Sequence, residues 1–164
     1  MDATYKRSLI LLAAVLVAAA VCFYTNTVFP DALAEETAAA AEEFGVDEAL
    51  VRGVIFAESG YDTDAVSRAG ASGPMQLMPS TREWVSKVTG IAADGTAMSE
   101  VRLGTAYLAY LLRRFGGVET ALAAYNAGPA NVERWLREGE EPYPETAAYV
   151  KRVLFARRVY ARVF

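Results

Sequence analysis

The chain has 164 residues, of which 54% are hydrophobic and 22% charged, and its formal net charge is −4. This length allows a single domain and the composition supplies a hydrophobic core, which excludes a disordered chain. Because a negative protein has no general attraction to phosphates, nucleic acid is not expected as a partner.

The residue types that are missing exclude several kinds of catalysis. The chain has no histidine and a single cysteine, Cys22. Without histidine, the chain cannot form a Ser-His-Asp or Cys-His catalytic arrangement, and it cannot form a histidine-based zinc centre. We expect no metal and no other cofactor. The lone cysteine cannot form an internal disulfide. Carboxylates, tyrosines and lysines remain for acid–base chemistry.

The first predicted element is an apolar helix near the N-terminus. Residues 1–8 include Lys6 and Arg7, and residues 9–25 are almost entirely apolar. With its flanks, this run is long enough to span a membrane, and the basic residues before it predict a cytoplasmic N-terminus with everything after the run exported. We therefore expect a single-pass anchor in the cytoplasmic membrane. The alternative is secretion after cleavage near Ala34, although an "ALA" there lies unusually far from the apolar run.

The remainder of the chain is predicted to be helical. Residues 26–45 indicate a short helix or stalk that begins with Asp31 as its cap and ends at Gly45. Residues 46–164 form the main domain, which shows no strand-period alternation. Its helices are predicted from Asp47 to Gly60, from Ser80 to Gly90, from Ser99 to Gly116, on both sides of "AGPAN", and from about Glu145. The long loop at 60–79 is typical of a functional or disordered segment.

One acidic residue, Glu58, closes an apolar helical stripe. Leu50, Val51, Val54 and Ile55 lie three and four positions apart, and Glu58 continues their series on the face that turns to the core. Burial and the negative end of the helix dipole should both raise the pKa of Glu58. A carboxyl group with a raised pKa is what a general acid near neutral pH requires. The alternative is a glutamate that bends out to solvent.

The loop after Glu58, "SGYDTDAVSRAGASGPMQLMPST", combines glycines with polar groups. Gly70 and Gly73 allow close backbone approach, and Gln76 lies near two methionines that can line an apolar wall. The stretch resembles the signature of soluble lytic transglycosylases, relatives of goose-type lysozyme. The positions in register are Glu58, Ser59, Tyr61, Ala65, Ser67, Gly70, Ala71, Gly73, Met75, Gln76, Met78, Pro79 and Thr81. Pro74 departs from the usual leucine but removes no chemical group.

Two further segments resemble the same family. "ALAAYNAGPANV" at 121–132 is similar to its A-Y-N-A-G-P segment, and "PYPETAAYV" at 142–150 is similar to its P-(F/Y)-x-E-T-x-x-Y-V segment. Together the three motifs extend over the domain from residue 46 to about residue 155. Without this resemblance, Tyr125, Asn126 and Tyr149 would be interpreted as residues that pack or cap helices.

The resemblance implies a mainly α, lysozyme-like fold that cleaves the β-1,4 bond between N-acetylmuramic acid and N-acetylglucosamine in peptidoglycan without adding water. It implies that Glu58 protonates the leaving oxygen and then takes the proton of the muramyl 6-hydroxyl, which closes a 1,6-anhydro ring. The other implied site residues are Ser67, Gln76, Met78, Tyr125, Asn126, Glu145 and Tyr149. The last two would shape the floor around Glu58, and the partner would be a glycan strand.

Two alternatives remain beside the transglycosylase. One is a hydrolysing muramidase on the same fold, and the other is a catalytically silent glycan-binding module, against which the presence of Glu58 argues. A hydrolase that inverts needs a second carboxylate across the sugar. Asp62 and Asp64 are near in sequence, but they lie among turn residues, where capping or solvated roles are commoner.

Two other clusters of residues are explained more simply by structural roles than by functional ones. Tyr107, Tyr110 and Phe115 could form a platform for sugars, but their helical spacing favours packing in the core. The basic residues near the C-terminus could contact anionic wall polymers or lipid headgroups, although a solvated helix face is the simpler interpretation. These basic residues are Lys151, Arg152, Arg157, Arg158 and Arg162.

Overall fold

The computed structural model describes residues 3–163, without the side chains at 3–6, 9, 18 and 21–27. Its helices are α1 (Ala3–Val28), α2 (Ala34–Phe44), α3 (Glu48–Glu58), α4 (Pro79–Thr89), α5 (Ala97–Phe115), α6 (Val118–Ala127), α7 (Pro129–Glu138) and α8 (Pro144–Val163). The loop between α3 and α4 contains isolated antiparallel bridges, from Val66 to Ser72 and from Ser72 to Leu77. The predicted mainly α class is confirmed.

The chain divides into two units, Met1–Ala32 and Leu33–Phe164. In the first unit, α1 contains the segment predicted as an anchor, although positions 9, 18 and 21–25 of that segment lie outside the described side chains. A search over the described residues finds no helix whose length and apolar character would allow it to cross a membrane.

Helix α2 opens the second unit and packs against α5 and α3. The prediction that Asp31 caps this helix is wrong, because the N-cap residue is Leu33. Leu33 is buried, and its carbonyl oxygen accepts a hydrogen bond of 2.8 Å from Thr37 Oγ1 in the first turn of α2. The domain boundary predicted at residue 46 stays a prediction.

Helix α3 begins where the sequence predicts. The side chain of Asp47 accepts a hydrogen bond of 2.9 Å from the amide of Ala49, as an N-cap residue should. The apolar stripe of α3 is buried and packs mainly against α8. At Gly53 the two helices approach so closely that a Cβ would lie 2.8 Å from the carbonyl oxygen of Val153. This close packing places the first half of α8 beside the end of α3.

Helix α5 is the most extensively buried helix of the second unit. Its Leu103, Tyr107 and Leu111 form a core cluster with residues of α4, α6 and α7. Phe115 packs against the same cluster, and Tyr107 is only 8% exposed, as core packing predicts for both. Tyr110, one turn after Tyr107, remains partly exposed.

Candidate active site

Glu58 is the last residue of α3 and is half-buried. Burial raises the pKa of its carboxyl group to about 7, although the Tyr149 hydroxyl and the positive charge of Arg152 both lower it. The direction of this shift agrees with the sequence prediction. A carboxyl group with this pKa exists in both protonation states near neutral pH, so it can donate a proton and also accept one.

Tyr149 lies on the face of α8 that turns to α3, and it is 2% exposed. Its hydroxyl has no hydrogen-bond partner of normal geometry among the described residues. It is nevertheless close enough to Glu58 to lower the pKa of that carboxyl group, while burial and the charge of Glu58 raise the pKa of Tyr149 itself. Tyr149 therefore presents an available donor to the Glu58 carboxylate.

Arg152 is a residue of the site that the sequence interpretation missed. Its Nη2 donates a hydrogen bond of 3.0 Å to the carbonyl oxygen of Ala57, one residue before Glu58. Its guanidinium carbon lies 5.8 Å from the centre of the Tyr149 ring. Arg152 therefore fixes α8 to the end of α3 and adds a positive charge near Glu58. The only signal in the sequence was its position three residues after Tyr149, on the same helix face.

The loop between α3 and α4 bends sharply at Gln76, whose φ is 47°. This left-handed conformation is uncommon outside glycine. The Nε2 group of Gln76 compensates by donating hydrogen bonds of 2.9 Å to the Ala65 carbonyl and 2.8 Å to the Gly73 carbonyl. Both hydrogens of the amide group are thereby used within the loop, which leaves its carbonyl oxygen available to a ligand.

Two helices hold this loop through hydrogen bonds to its backbone. At the end of α3, the Ser59 hydroxyl donates to the Pro74 carbonyl at 2.9 Å. From α6, the Tyr125 hydroxyl donates to the Met75 carbonyl at 2.8 Å. The Met75 side chain packs directly on α5 at Gly104, where a Cβ would overlap the thioether. Through Ser59, the loop is thus fixed to the end of α3, the helix that carries Glu58.

A partly buried ion pair also supports the loop. Arg82 of α4 lies 2.6 Å from Glu100 of α5 and also donates to the carbonyl oxygen of Ser72 at 3.1 Å. At Gly73 the backbone approaches Glu100 so closely that a Cβ would lie 3.0 Å from its Oε2. The sequence interpretation missed this pair, since the two residues belong to different helices and follow no motif.

The other predicted site residues have different environments. Ser67 Oγ accepts a hydrogen bond of 3.0 Å from the Ala71 amide, so it closes a turn inside the loop. Met78 and Asn126 are exposed, at the end of the loop and near the end of α6. Glu145 is exposed in the first turn of α8 and is not among the groups that shift the pKa of Glu58. Its predicted place in the floor stays a prediction.

Asp62 and Asp64 have the structural role that the sequence favours. Both are exposed, and Asp62 Oδ1 accepts a hydrogen bond of 2.9 Å from the Asp64 amide, which stabilises a turn. Over the described residues, no group of three or more aspartate, glutamate, cysteine or histidine side chains could hold a metal ion.

A helical domain in which a half-buried glutamate ends one helix, next to a loop held by hydrogen bonds, has the architecture of a lysozyme-like domain. The chain belongs to the Transglycosylase SLT domain family, which it matches over residues 35–146.

Known proteins resemble this chain in sequence and in fold. The soluble lytic murein transglycosylase of Escherichia coli K12 is 35% identical in an alignment 125 residues long, which covers 65% of this chain and 19% of the relative. The lytic transglycosylase Slt of Pseudomonas aeruginosa, solved as an inactive glutamate-to-glutamine mutant, is 31% identical with a TM-score of 0.78 over 84% of this chain and 25% of that one. A 70-kDa soluble lytic transglycosylase in complex with bulgecin A is 27% identical, with a TM-score of 0.77 over 89% of this chain and 26% of that one. The chain thus spans about a fifth of the length of the Escherichia coli relative.

Proposed function

We propose that this protein is a peptidoglycan lytic transglycosylase that acts in cell-wall remodelling. It would cleave the β-1,4 bond between N-acetylmuramic acid and N-acetylglucosamine and leave a 1,6-anhydro end on the muramyl unit. The observation that carries this proposal is Glu58, whose pKa of about 7 suits a group that must act as acid and then as base.

The reaction needs one carboxyl group in two steps. Protonated Glu58 gives its proton to the glycosidic oxygen, the bond from that oxygen to C1 of the muramyl unit breaks, and N-acetylglucosamine leaves with a free 4-hydroxyl. The acetamido group of the muramyl unit stabilises the positive charge that develops at C1. Glu58, now a carboxylate, takes the proton of the 6-hydroxyl as that oxygen bonds to C1. The enzyme returns to its starting protonation state and no water is consumed.

The surroundings of Glu58 support these two roles. The Tyr149 hydroxyl and the Arg152 charge favour the carboxylate, while burial favours the protonated form. These opposing effects keep the pKa of Glu58 close to neutrality, so both the protonated and the charged form can occur during turnover. The inactive glutamate-to-glutamine mutant of the Pseudomonas aeruginosa relative is consistent with a reaction that depends on one glutamate.

The substrate contacts that we propose lie on both sides of Glu58. Gln76 offers its free carbonyl oxygen from the loop, and Tyr125 supports the loop beneath it. Ser67, Met78 and Asn126 would position sugar and acetamido groups, and Glu145 would join Tyr149 in the floor. The bulgecin A complex of the 70-kDa relative supports a ligand-binding groove in this fold.

The identity of the product tests the proposal against a hydrolysing muramidase. Digestion of purified peptidoglycan should give muropeptides that end in 1,6-anhydro-N-acetylmuramic acid, each lighter by one water than the hydrolytic product. Mass spectrometry before and after borohydride reduction measures this, because an anhydro end takes up no hydride. If most products took up hydride at a muramic acid terminus, a second base would be needed, and Asp62, Asp64 and Glu145 would be the first residues to examine.

We also propose that residues 9–25 anchor the protein in the cytoplasmic membrane, with the catalytic domain on the extracytoplasmic side. Described side chains of this segment, including Ile10, Leu11 and Leu16, are exposed in α1, and Lys6 and Arg7 precede them. Cell fractionation with N-terminal sequencing tests the anchor. A soluble mature protein that starts at Glu35 would instead indicate cleavage after Ala34.

A further inference from the structure

The part of α8 that follows Glu145 is basic, although the chain as a whole is acidic. Residues 146–163 contain five basic residues and no acidic one, whereas the formal net charge of the chain is −4. Two of the five, Arg152 and Arg157, donate hydrogen bonds to α3 or to its N-cap residue. The other three are exposed, and they are Lys151, Arg158 and Arg162.

These three residues share one face of α8 with an exposed aromatic ring, that of Phe155. Positions 151, 155, 158 and 162 follow one another at intervals of four, three and four residues, which places their side chains on a single helical face. Phe155 lies inside this row and has 59% of its surface exposed. The row is about 16 Å long, because each helical residue adds about 1.5 Å. Lys151, Phe155, Arg158 and Arg162 together are called the basic stripe.

The positive charges of the basic stripe face solvent without an ion-pair partner among the described residues. Exposed arginines elsewhere do form ion pairs, as Arg102 does with a glutamate of α2 at 2.6 Å. Glu119 lines one cavity with Lys151 and another with Arg158, and Glu140 lines the first of these cavities. None of the described carboxylates, however, comes within ion-pair distance of the three basic residues. The stripe thus keeps its charge for a partner outside the domain.

We infer that the basic stripe binds a membrane surface that contains anionic phospholipids. The lysine and arginine side chains attract the phosphate groups of such lipids, and each one near the surface adds to the binding. The ring of Phe155 enters the boundary between headgroups and acyl chains, as the aromatic side chains of interfacial helices do. An anionic polymer in water would attract the same charges but offers no apolar layer to the ring, so the arrangement favours a bilayer.

The short connection between α1 and α2 is consistent with this partner. Residues 29–33 separate the two helices, and a chain of this length extends over at most roughly 20 Å. If residues 9–25 anchor the protein, the domain stays within reach of the lipid. Contacts that are weak in free solution are then populated, because tethering raises the effective concentration of the stripe at the surface. The inference goes beyond the activity proposed for Glu58 and does not depend on it.

Binding through the basic stripe also gives the domain an orientation. Residues on the opposite face of α8, among them Val153 and Ala156, are fully buried, and α8 packs against α3. Because α3 ends in Glu58, this carboxyl group lies on the side of α8 that is turned away from the lipid. The membrane contact therefore leaves the candidate active site open to the wall.

The test places a fluorophore next to the basic stripe in the full chain. Cys22→Ser removes the one native cysteine, and Ala148→Cys introduces a labelling site at an exposed position one turn before Lys151. The chain, labelled with NBD, is reconstituted in vesicles of phosphatidylcholine, alone or mixed with phosphatidylglycerol. The emission should shift to shorter wavelength only in the vesicles with phosphatidylglycerol. High salt should reverse the shift, because it screens the charge of the lipid.

Variants of the stripe determine whether its residues cause the shift. The combined substitution Lys151→Gln, Arg158→Gln and Arg162→Gln should abolish it, and each single substitution should weaken the membrane-bound state about fivefold. Phe155→Ala should also weaken it, since the ring no longer enters the bilayer. Circular dichroism equal to that of the parent establishes that the variants are folded.

Two controls use helix α4. Lys87→Gln removes an exposed positive charge outside the stripe and should leave the shift at position 148 unchanged. A label at Val88→Cys, which replaces a side chain that is 59% exposed, should show no shift with phosphatidylglycerol. A shift of equal size at both labelling sites would mean that the whole domain adsorbs without using the stripe, and it would overturn the inference.

Two other results would overturn the membrane contact. One is a shift with phosphatidylglycerol that the triple variant retains, or no shift in the parent. The other is a shift of the same size with soluble polyglycerol phosphate that Phe155→Ala does not reduce, which would identify an anionic polymer as the partner.

Failure of the proposed anchor has a different signature. In that case, high salt would release the whole chain from the vesicles, although the label at position 148 would still shift with phosphatidylglycerol at low salt. If the stripe alone is wrong, the chain would stay in vesicles of both compositions and the label would report no shift in either.

Discussion

The regions around Glu58 and Glu100 contain the same side chain in two different electrostatic environments. Glu100 is 7% exposed and lies 2.6 Å from Arg82, with which it forms an ion pair. Glu58 is also withdrawn from water, but it faces a tyrosine hydroxyl and the more weakly acting charge of Arg152. Burial therefore raises the pKa of Glu58 to about 7.

The difference shows that burial alone does not make a carboxylate functional. A buried carboxylate with a guanidinium partner can hold neighbouring backbone in place, as Glu100 does near Gly73. One that lacks a directly paired cation remains able to exchange its proton near neutral pH. The structure thus separates the group that supports the loop from the group that we propose for catalysis.

The largest effect should come from exchanging each carboxylate for its amide. Glu58→Gln should keep the fold and lose more than the roughly 10²- to 10⁴-fold typical of one acid–base step, because the group acts in both steps. Glu100→Gln keeps an acceptor for Arg82 and should retain far more activity in its folded fraction. Clearance of cell-wall suspensions measures activity and circular dichroism measures folding. Near-normal clearance by folded Glu58→Gln would refute the assignment.

The second test breaks the ion pair at Glu100. Arg82→Met leaves a buried carboxylate without its partner and should lower the free energy of unfolding by about 3 kcal/mol. The double variant Arg82→Met with Glu100→Leu removes both charges and should recover much of that loss. Urea unfolding measures the three proteins. If the single and double variants were equally unstable, shape at Arg82 would matter more than its charge.

The third test measures how the free energy of unfolding changes with pH because Glu58 titrates. Its pKa is raised from 4.5 to about 7 on folding, so the folded state holds the proton more tightly and the stabilisation is fully present below pH 4.5. This contribution decreases as the pH rises and is lost through pH 7. Glu58→Gln does not titrate, so it should match the wild type near pH 4 and exceed its stability by roughly 2 to 3 kcal/mol at pH 8. A constant difference across this range would contradict the raised pKa.

The smallest effects should come from the groups that lower the pKa of Glu58. Arg152→Gln removes a positive charge and Tyr149→Phe removes a hydroxyl, so each should raise the pKa of Glu58. Because the first step needs the protonated acid, the alkaline limb of the activity profile should move to higher pH by about one unit or less. Arg152→Lys keeps the charge and serves as the control. A shift to lower pH in either variant would mean that the removed group raises the pKa of Glu58 and does not lower it.

Local patterns in the sequence predicted much of this arrangement. The apolar stripe of α3, its Asp47 cap and the raised pKa of Glu58 follow from helical periodicity and from position in the helix. The approach of Tyr149 to Glu58 did not follow from periodicity. Without the family resemblance it would have been interpreted as packing, because nothing local in the sequence shows which distant helix a buried tyrosine meets.

The remaining features depend on tertiary contacts that have no local signature. The left-handed conformation of Gln76 is unfavourable in isolation, and it persists because neighbouring elements hold the loop on both sides. The pair of Arg82 with Glu100 joins two helices that only the completed fold brings together. Arg152 was interpreted as part of a solvated basic face. Its hydrogen bond to Ala57 joins residues 95 positions apart, and no local pattern in the sequence indicates such a contact.

The hydrogen bond from Arg152 to Ala57 also indicates when Glu58 can acquire its surroundings during synthesis of the chain. The two residues are separated by 95 positions, and Tyr149, which faces Glu58, belongs to the same helix as Arg152, α8. A ribosome-bound chain that has emerged only as far as α7 contains Glu58 and the complete loop but neither of these partners. Contacts of such long sequence separation form slowly and late. The glutamate therefore reaches the environment described here only after α8 has been translated.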